Sequence, residues 1–272
     1  MAQLSLKKQK KLMVKWIIAL SAVLAVMVCI ILLLPKPKPE PKSEPTVQTT
    51  RMPRPTTSNE QFTYDDFGFL SCTTRPSIPG IDVSYHQGVI DWQQVAENGV
   101  HFAFIRLGYR GYEDGKLHED EQAKRNLKEA RAQGLKIGAY FFSQAVDPEE
   151  AAAEAAFALE ILGDTQLDFP LVFDWEYISD SARTAEVDSD TLMACVDTFC
   201  TAVEQTGRET MVYFNQDLAK TKLRLKELNY PFWLAKYSDN LDYSYQVRCW
   251  QYTDQGQVPG IEGFVDIDLY FP

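Results

Sequence analysis

From Gly80 onward, short apolar runs rich in β-branched and aromatic residues alternate with stretches whose apolar positions recur at helical spacing. Residues 81–84, 101–107, 135–143, 170–176 and 210–215 read as strands. Residues 91–97, 119–133, 147–162, 188–205 and 215–228 read as the helices between and after them. The punctuation fits. Asp91 caps one helix and Gly99 stops it, and Gly134 ends another. Asp147-Pro148-Glu149 puts a cap, a first-turn proline and a first-turn acid before an alanine-rich run. Beyond residue 228 the rhythm changes. Residues 231–237, 247–252 and 264–270 read as strands, separated by turns rather than long helices.

Continuous apolar strands alternating with helices predict a parallel sheet covered on its outside. Five strand–helix units followed by three helix-poor strands predict an α/β, TIM-like eight-stranded barrel whose last part has lost its helices. A doubly wound open sheet is the alternative, and it leaves the three closing strands unexplained.

The chain before the barrel has a different pattern. Residues 16–34 are uncharged, with Ser21 the one polar residue. At ~1.5 Å per residue they reach roughly 28 Å, enough for a bilayer core. Lys7, Lys8, Lys10, Lys11 and Lys15 precede them, which predicts a cytoplasmic basic segment at 1–15 and export of the rest. The apolar run ends in Ile30-Ile31-Leu32-Leu33-Leu34-Pro35, a poor cleavage site, so an uncleaved transmembrane anchor is expected rather than a signal peptide. Residues 35–61 open with alternating proline, which favours an extended polyproline II linker that cannot bury a core. The barrel domain then occupies 62–272, with its core at 80–272. The expected location is the cell membrane, single-pass, with the barrel outside the cytoplasm.

Charge follows the same division. Residues 1–61 carry 10 Lys+Arg against 3 Asp+Glu, and residues 62–272 carry 17 against 35, so the chain's net −11 is a +7 head on a −18 body. An acidic body argues against nucleic acid as a partner, because phosphate neutralisation needs clustered Lys and Arg. Cys72, Cys195, Cys200 and Cys249 are an even set, open to pairing in an oxidising space or to burial as four free thiols. No Cys-x-x-Cys is present, and His86, His101 and His118 form no ligand pattern, so neither metal nor cofactor is expected.

The acids that matter sit at predicted strand ends, where a barrel of this kind carries its chemistry. They are Asp82 in Gly-Ile-Asp-Val-Ser, Asp174 and Glu176 in Leu-Val-Phe-Asp-Trp-Glu, and Asp266 and Asp268 in Phe-Val-Asp-Ile-Asp. In a strand, i and i+2 share a face, so Asp174 and Glu176 point together with Trp175 opposite. Burial and mutual repulsion raise the pKa of one such carboxyl, and a pair with split pKa values is what glycosidic cleavage requires. Metal binding for phosphoryl transfer is the rival chemistry for clustered acids. Aromatic residues gather at the same strand ends, and flat faces stack on sugar rings. Tyr140, Tyr237 and Tyr252 are the candidates for a substrate cleft.

Six segments carry a family resemblance in order: Gly80-Ile81-Asp82-Val83-Ser84 with Gly88-Val89-Ile90-Asp91-Trp92, Gly138-Ala139-Tyr140-Phe141-Phe142, Phe173-Asp174-Trp175-Glu176, Trp233-Leu234-Ala235-Lys236-Tyr237, Trp250-Gln251-Tyr252, and Gly263-Phe264-Val265-Asp266. Together they resemble glycoside hydrolase family 25, the Chalaropsis-type lysozymes, over about residues 80–272. The resemblance implies a (β/α)5β3 barrel and N-acetylmuramidase activity on the β-1,4 bond between N-acetylmuramic acid and N-acetylglucosamine in peptidoglycan. It implies Glu176 as general acid, Asp174 as the partner that steadies the substrate's acetamido group, and Asp82 and Asp266 as the remaining cleft acids. Phe104-Ile105-Arg106-Leu107-Gly108-Tyr109 departs from the Lys-Ala-(Ser/Thr)-Glu-Gly-like strand end of many members. An acetamido-assisted hydrolase of chitin-like polymers and a non-catalytic wall-binding module are the alternatives.

Overall fold

The computed structural model describes residues 60–272. The predicted basic segment 1–15, the anchor 16–34 and all but the end of the linker 35–61 lie outside the described residues. Among the described residues, no helix is long and apolar enough to cross a membrane.

The predicted strands and helices occur in order. A hairpin, β1 (Phe62–Tyr64) and β2 (Leu70–Cys72), precedes the barrel. The barrel then runs β3 (Ile78–Val83), α1 (Trp92–Glu97), β4 (Phe102–Arg110), a short β5 (Leu117–Glu119), α2 (Ala123–Ala132), β6 (Lys136–Ser143) and α3 (Pro148–Leu162). It continues with β7 (Leu171–Trp175), α4 (Ser189–Glu204), β8 (Thr210–Asn215) and α5 (Gln216–Thr221). Three strands close it: β9 (Phe232–Ala235), β10 (Cys249–Gly256) and β11 (Val265–Tyr270). The helices start where their caps predict. Asp91 accepts from the Gln94 amide at 3.2 Å, and Asp147 accepts from that of Glu150 at 2.9 Å.

Eight strands form a closed ring in the order β3-β11-β10-β9-β8-β7-β6-β4, with β4 pairing back onto β3. Three details depart from the pattern read in the sequence. β11 is antiparallel to both β10 and β3. It follows β10 through a short turn, and a turn can only reverse direction, whereas parallel pairing needs a crossover. β5 pairs antiparallel with β4 and takes residues 117–119, so the second helix starts at Ala123 rather than at 119. The helix predicted over 215–228 stops at Thr221. Leu223, Leu225 and Leu228 still bury themselves, but from the irregular segment that follows.

The core has two parts, divided by the sheet. Inside the ring lie Phe102, Phe104, Tyr140, Phe169, Val172, Met211, Tyr213, Trp233 and Tyr270. Phe104 stacks on Trp233 at 4.7 Å, and Phe102 meets Phe169 edge-on at 5.2 Å. Outside the ring, alternate residues such as Ile105, Phe173 and Trp175 pack against α2, α3 and α4. The interior rings of β4 fit because an inward position on each flanking strand, β3 and β6, is a glycine. A Cβ on Gly80 would stand 2.3 Å from the Phe102 ring, and one on Gly138 would stand 2.2 Å from the Phe104 ring.

Where β9–β11 lack helices, the β1–β2 hairpin covers the sheet. Phe62 meets Trp250 edge-on at 5.0 Å, the Leu70 amide donates to the Tyr252 hydroxyl at 3.2 Å, and Phe69, Leu70 and Cys72 are buried. Cys72, Cys195, Cys200 and Cys249 are all buried free thiols, the second of the two readings the sequence left open.

The glycine fit generates a prediction. Gly138→Ala should destabilise the fold by about 1–3 kcal/mol through overpacking, measured by denaturant unfolding. Shortening the ring in the double variant with Phe104→Leu should recover part of that loss.

Candidate active site

Two of the acids arrive on one strand. Asp174 is the fourth residue of β7 and points inward, like Val172 two positions before it. Glu176 follows one residue after the strand ends, and Trp175 between them points outward, donating its indole N–H to the Ala145 carbonyl at 3.0 Å. The other two acids are brought together by the antiparallel closing strand. Asp266 of β11 pairs in register with Asp82 of β3. All four line one cleft of about 190 Å³ at the mouth of the barrel, with Ser84, His86, Gln87, Arg106, Tyr140, Phe142, Tyr213, Trp233 and Gln251.

The floor of this cleft is the aromatic interior of the barrel. Desolvation therefore sets its electrostatics. Burial pushes Glu176 up to about 7, with the charge of Asp266 adding to it. Burial likewise raises Asp266 to about 6, with Asp254 adding to it. Asp82 and Asp174 are raised well above the ordinary carboxylate range, again chiefly by burial. Two features hold them down in part. The Gln251 amide donates to Asp82 Oδ2 at 2.7 Å, and the Arg106 guanidinium favours ionised Asp174. Asp174 Oδ1 is buried without a hydrogen-bond partner among the described residues.

A second tier fixes these groups. Gln251 is held by the hydroxyls of Tyr213 at 3.1 Å and Tyr237 at 3.3 Å, both donating to its Oε1. Asp268, fully buried below Asp82, accepts from the Trp233 indole N–H at 2.8 Å. Arg106 Nε donates to Asp120 Oδ2 at 2.8 Å, and the same oxygen accepts from the Tyr85 amide at 3.0 Å. Arg106 also lies over the rings of Tyr85 and Tyr109, at 4.9 and 5.1 Å from their centroids.

Of the eight residues singled out in the sequence, Asp82, Tyr140, Asp174, Glu176 and Asp266 line the cleft, and Asp268 is buried beneath it. Tyr237 stands at its rim, 56 % exposed, tied to the cleft through Gln251. Tyr252 does not belong to it. Gln251 takes the inward position on β10, so the next residue must face out, and Tyr252 is buried against Trp250 beneath the hairpin. Arg106 and Gln251 were missed as site residues. The sequence gives Gln251 a signal, its place between two aromatic residues on a closing strand. For Arg106 the signal is a cation in an otherwise apolar strand. Among the described residues, no group of three or more His, Cys, Asp or Glu side chains is arranged to hold a metal ion.

The family model for glycosyl hydrolases family 25 matches residues 81–261. The chain belongs to that family. As a family 25 member it is a glycoside hydrolase, and its acids occupy the mouth of the family's barrel. The chain is 34% identical over 205 residues to the uncharacterized protein YegX of Escherichia coli K12, covering 71% of this chain and 70% of that protein. It is 30% identical over 194 residues to the autolytic lysozyme of Clostridium acetobutylicum, covering 70% of this chain and 55% of that one. Among solved structures it is similar to the modular autolysin LytC of Streptococcus pneumoniae, determined in complex with a synthetic peptidoglycan ligand. That match has a TM-score of 0.65 and 26% identity, covering 80% of this chain and 52% of LytC. This family 25 chain thus spans only about half the length of the lysozyme and the autolysin it matches.

The raised carboxyls predict a linkage between stability and pH. An unfolded glutamate loses its proton near about 4.3, while folded Glu176 keeps it up to about 7. The native state therefore binds the extra proton, and stability is full below the unfolded value and falls as pH rises through the folded one. For a displacement of this size the cost at neutral pH is of the order of 2–3 kcal/mol. Glu176→Gln should therefore melt higher than the parent at about pH 8, and calorimetry at about pH 4 should find the difference closed.

Proposed function

We propose that the chain is a peptidoglycan hydrolase that cleaves the β-1,4 bond between N-acetylmuramic acid and N-acetylglucosamine. One observation carries this reading: Asp174 on β7 and Glu176 just beyond its end both line the cleft, and burial holds Glu176 protonated to about 7. In this reading Glu176, at the end of the pair and partly exposed, gives its proton to the glycosidic oxygen as the bond breaks. Asp174 Oδ1, buried and without a partner, accepts the N–H of the substrate's acetamido group and orients its carbonyl towards the sugar's anomeric carbon. Arg106 favours the charged form of Asp174 that this contact needs. Asp266, the more readily ionised of the remaining two acids, supplies negative field that offsets positive charge developing on the sugar, Asp82 lines the cleft beside it, and Tyr140 and Tyr237 offer wall and rim for the rings. The lysozyme and autolysin matches support the choice of wall glycan over chitin-like polymers.

We further propose that residues 16–34 anchor the enzyme in the cell membrane with residues 1–15 in the cytoplasm, so that the barrel works outside. The support is the uncharged 19-residue run behind its lysine flank.

Two experiments test these readings. The purified chain should release fragments with muramic acid reducing ends from peptidoglycan, identified by mass spectrometry. Glu176→Gln and Asp174→Asn should each lose about 100-fold or more of the rate without loss of fold. The parent's rate should fall as pH rises through about 7, where Glu176 gives up its proton. Cleavage of chitin oligomers alone would replace the substrate, and binding without release would make the barrel a wall-binding module. Separately, the full chain should stay with membranes through alkaline carbonate extraction, and a chain lacking residues 1–34 should not.

A further inference from the structure

The strand ladder that holds Asp174 stops one residue short of Glu176. β6 and β7 pair in register as far as Ser143 with Trp175, and Glu176 is the first residue beyond. Sheet hydrogen bonds thus fix the backbone of Asp174 and leave that of Glu176 to another group. Gln144, the first residue beyond β6, supplies it. Its Nε2 donates to the Glu176 carbonyl at 2.7 Å and to the Ser143 carbonyl at 3.0 Å. In effect its side chain adds one more rung to the ladder.

This amide is fully buried, and its orientation is determined. Two carbonyls can only accept, so the NH2 must face them. The oxygen then accepts from the Thr184 hydroxyl at 3.1 Å. The backbone of Gln144 is tied as firmly. Its N–H donates to Glu154 Oε1 at 3.3 Å, and its carbonyl accepts from Arg183, which also pairs with Glu150 at 2.6 Å. Glu154 is itself buried and accepts from Arg110 at 2.7 Å. Thr184 and Arg183 lie on the segment that follows Glu176, so that segment folds back to clamp the group that holds Glu176 in place.

We propose that Gln144 is the positioning residue for the general acid, setting the height of Glu176 in the cleft by hydrogen-bonding its main-chain carbonyl. The proposal rests on the reading of Glu176 as the acid. Losing this rung lets Glu176 shift towards water, away from the buried site it shares with Asp174 of its own strand. From the other strands it faces Asp82 and Asp266, with Tyr213 and Tyr237. Arg106 enters from β4 on the Asp174 side.

The test uses the full chain with Gln144→Met, which keeps the bulk and removes both donors, and Thr184→Val, which removes only the clamp on the amide oxygen. The first readout is the Glu176 carboxyl titration followed by NMR on 13C-labelled protein, which needs no activity. Its midpoint should fall from about 7 towards the ordinary carboxylate range in Gln144→Met, and less far in Thr184→Val. The second readout is kinetic: kcat should drop by up to about 100-fold with KM held, and the high-pH limb of the rate profile should follow the titration. A folded Gln144→Met with an unmoved midpoint and parental kcat overturns the proposal. Should Gln144→Met fail to fold, the Thr184→Val midpoint decides in the same way. A parent that titrates as stated but cleaves no glycan removes the acid reading, and the midpoints still decide what Gln144 does.

Discussion

Four carboxyl groups sit on top of a barrel whose interior is filled with aromatic rings, and the rest of the site answers to that placement. Phe104, Trp233 and Tyr140 exclude water from below, so each acid above them pays a desolvation penalty that no surface acid would meet. The protein offsets it with specific donors rather than with bulk charge. Gln251 serves Asp82, the Trp233 indole serves Asp268, and one arginine faces Asp174. The offset is incomplete. A carboxyl that holds its proton into the neutral range is the chemically useful result, and a fold destabilised at that pH is its counterpart.

The closing strand makes the arrangement possible. In an all-parallel ring, β11 would enter from the opposite end. Because it returns antiparallel from β10, Asp266 and Asp268 lie opposite Asp82 and Gly80. The loss of the last helices leaves the outer face of β10 bare, and the N-terminal hairpin fills that place with Phe62, Phe69 and Leu70. The chain's first described strands thus belong structurally to its last ones.

Much of this was legible from residue order. Strand spacing gave the barrel, and two-residue alternation put Asp174 with Glu176 and Trp175 opposite. The same rule, applied from Gln251, would have turned Tyr252 outward. What was not legible depended on partners distant along the chain or on segments too short to show a period. The strands β1, β2 and β5 have three residues each, which no alternation can reveal. The burial of Arg106 depends on Asp120 in the loop before α2, and the role of Gln144 depends on a carbonyl 32 residues away. Local pattern records which face a side chain takes. It does not record which main-chain group it will find there.

The hairpin also has a mechanical meaning. Phe62 lies opposite Cys72, so the chain enters and leaves the hairpin at the same open end. That end is clasped by the Thr73 amide donating to the Gln61 carbonyl at 2.8 Å and by the Arg75–Glu60 ion pair at 2.8 Å. Tension arriving along the preceding residues therefore loads these contacts one after another, as in a zipper, rather than all at once in shear. The hairpin would yield before β3, whose ladders on both sides share the load. Strain on the leading segment is thereby spent on β1 and β2, and the geometry of the acid cleft is insulated from it.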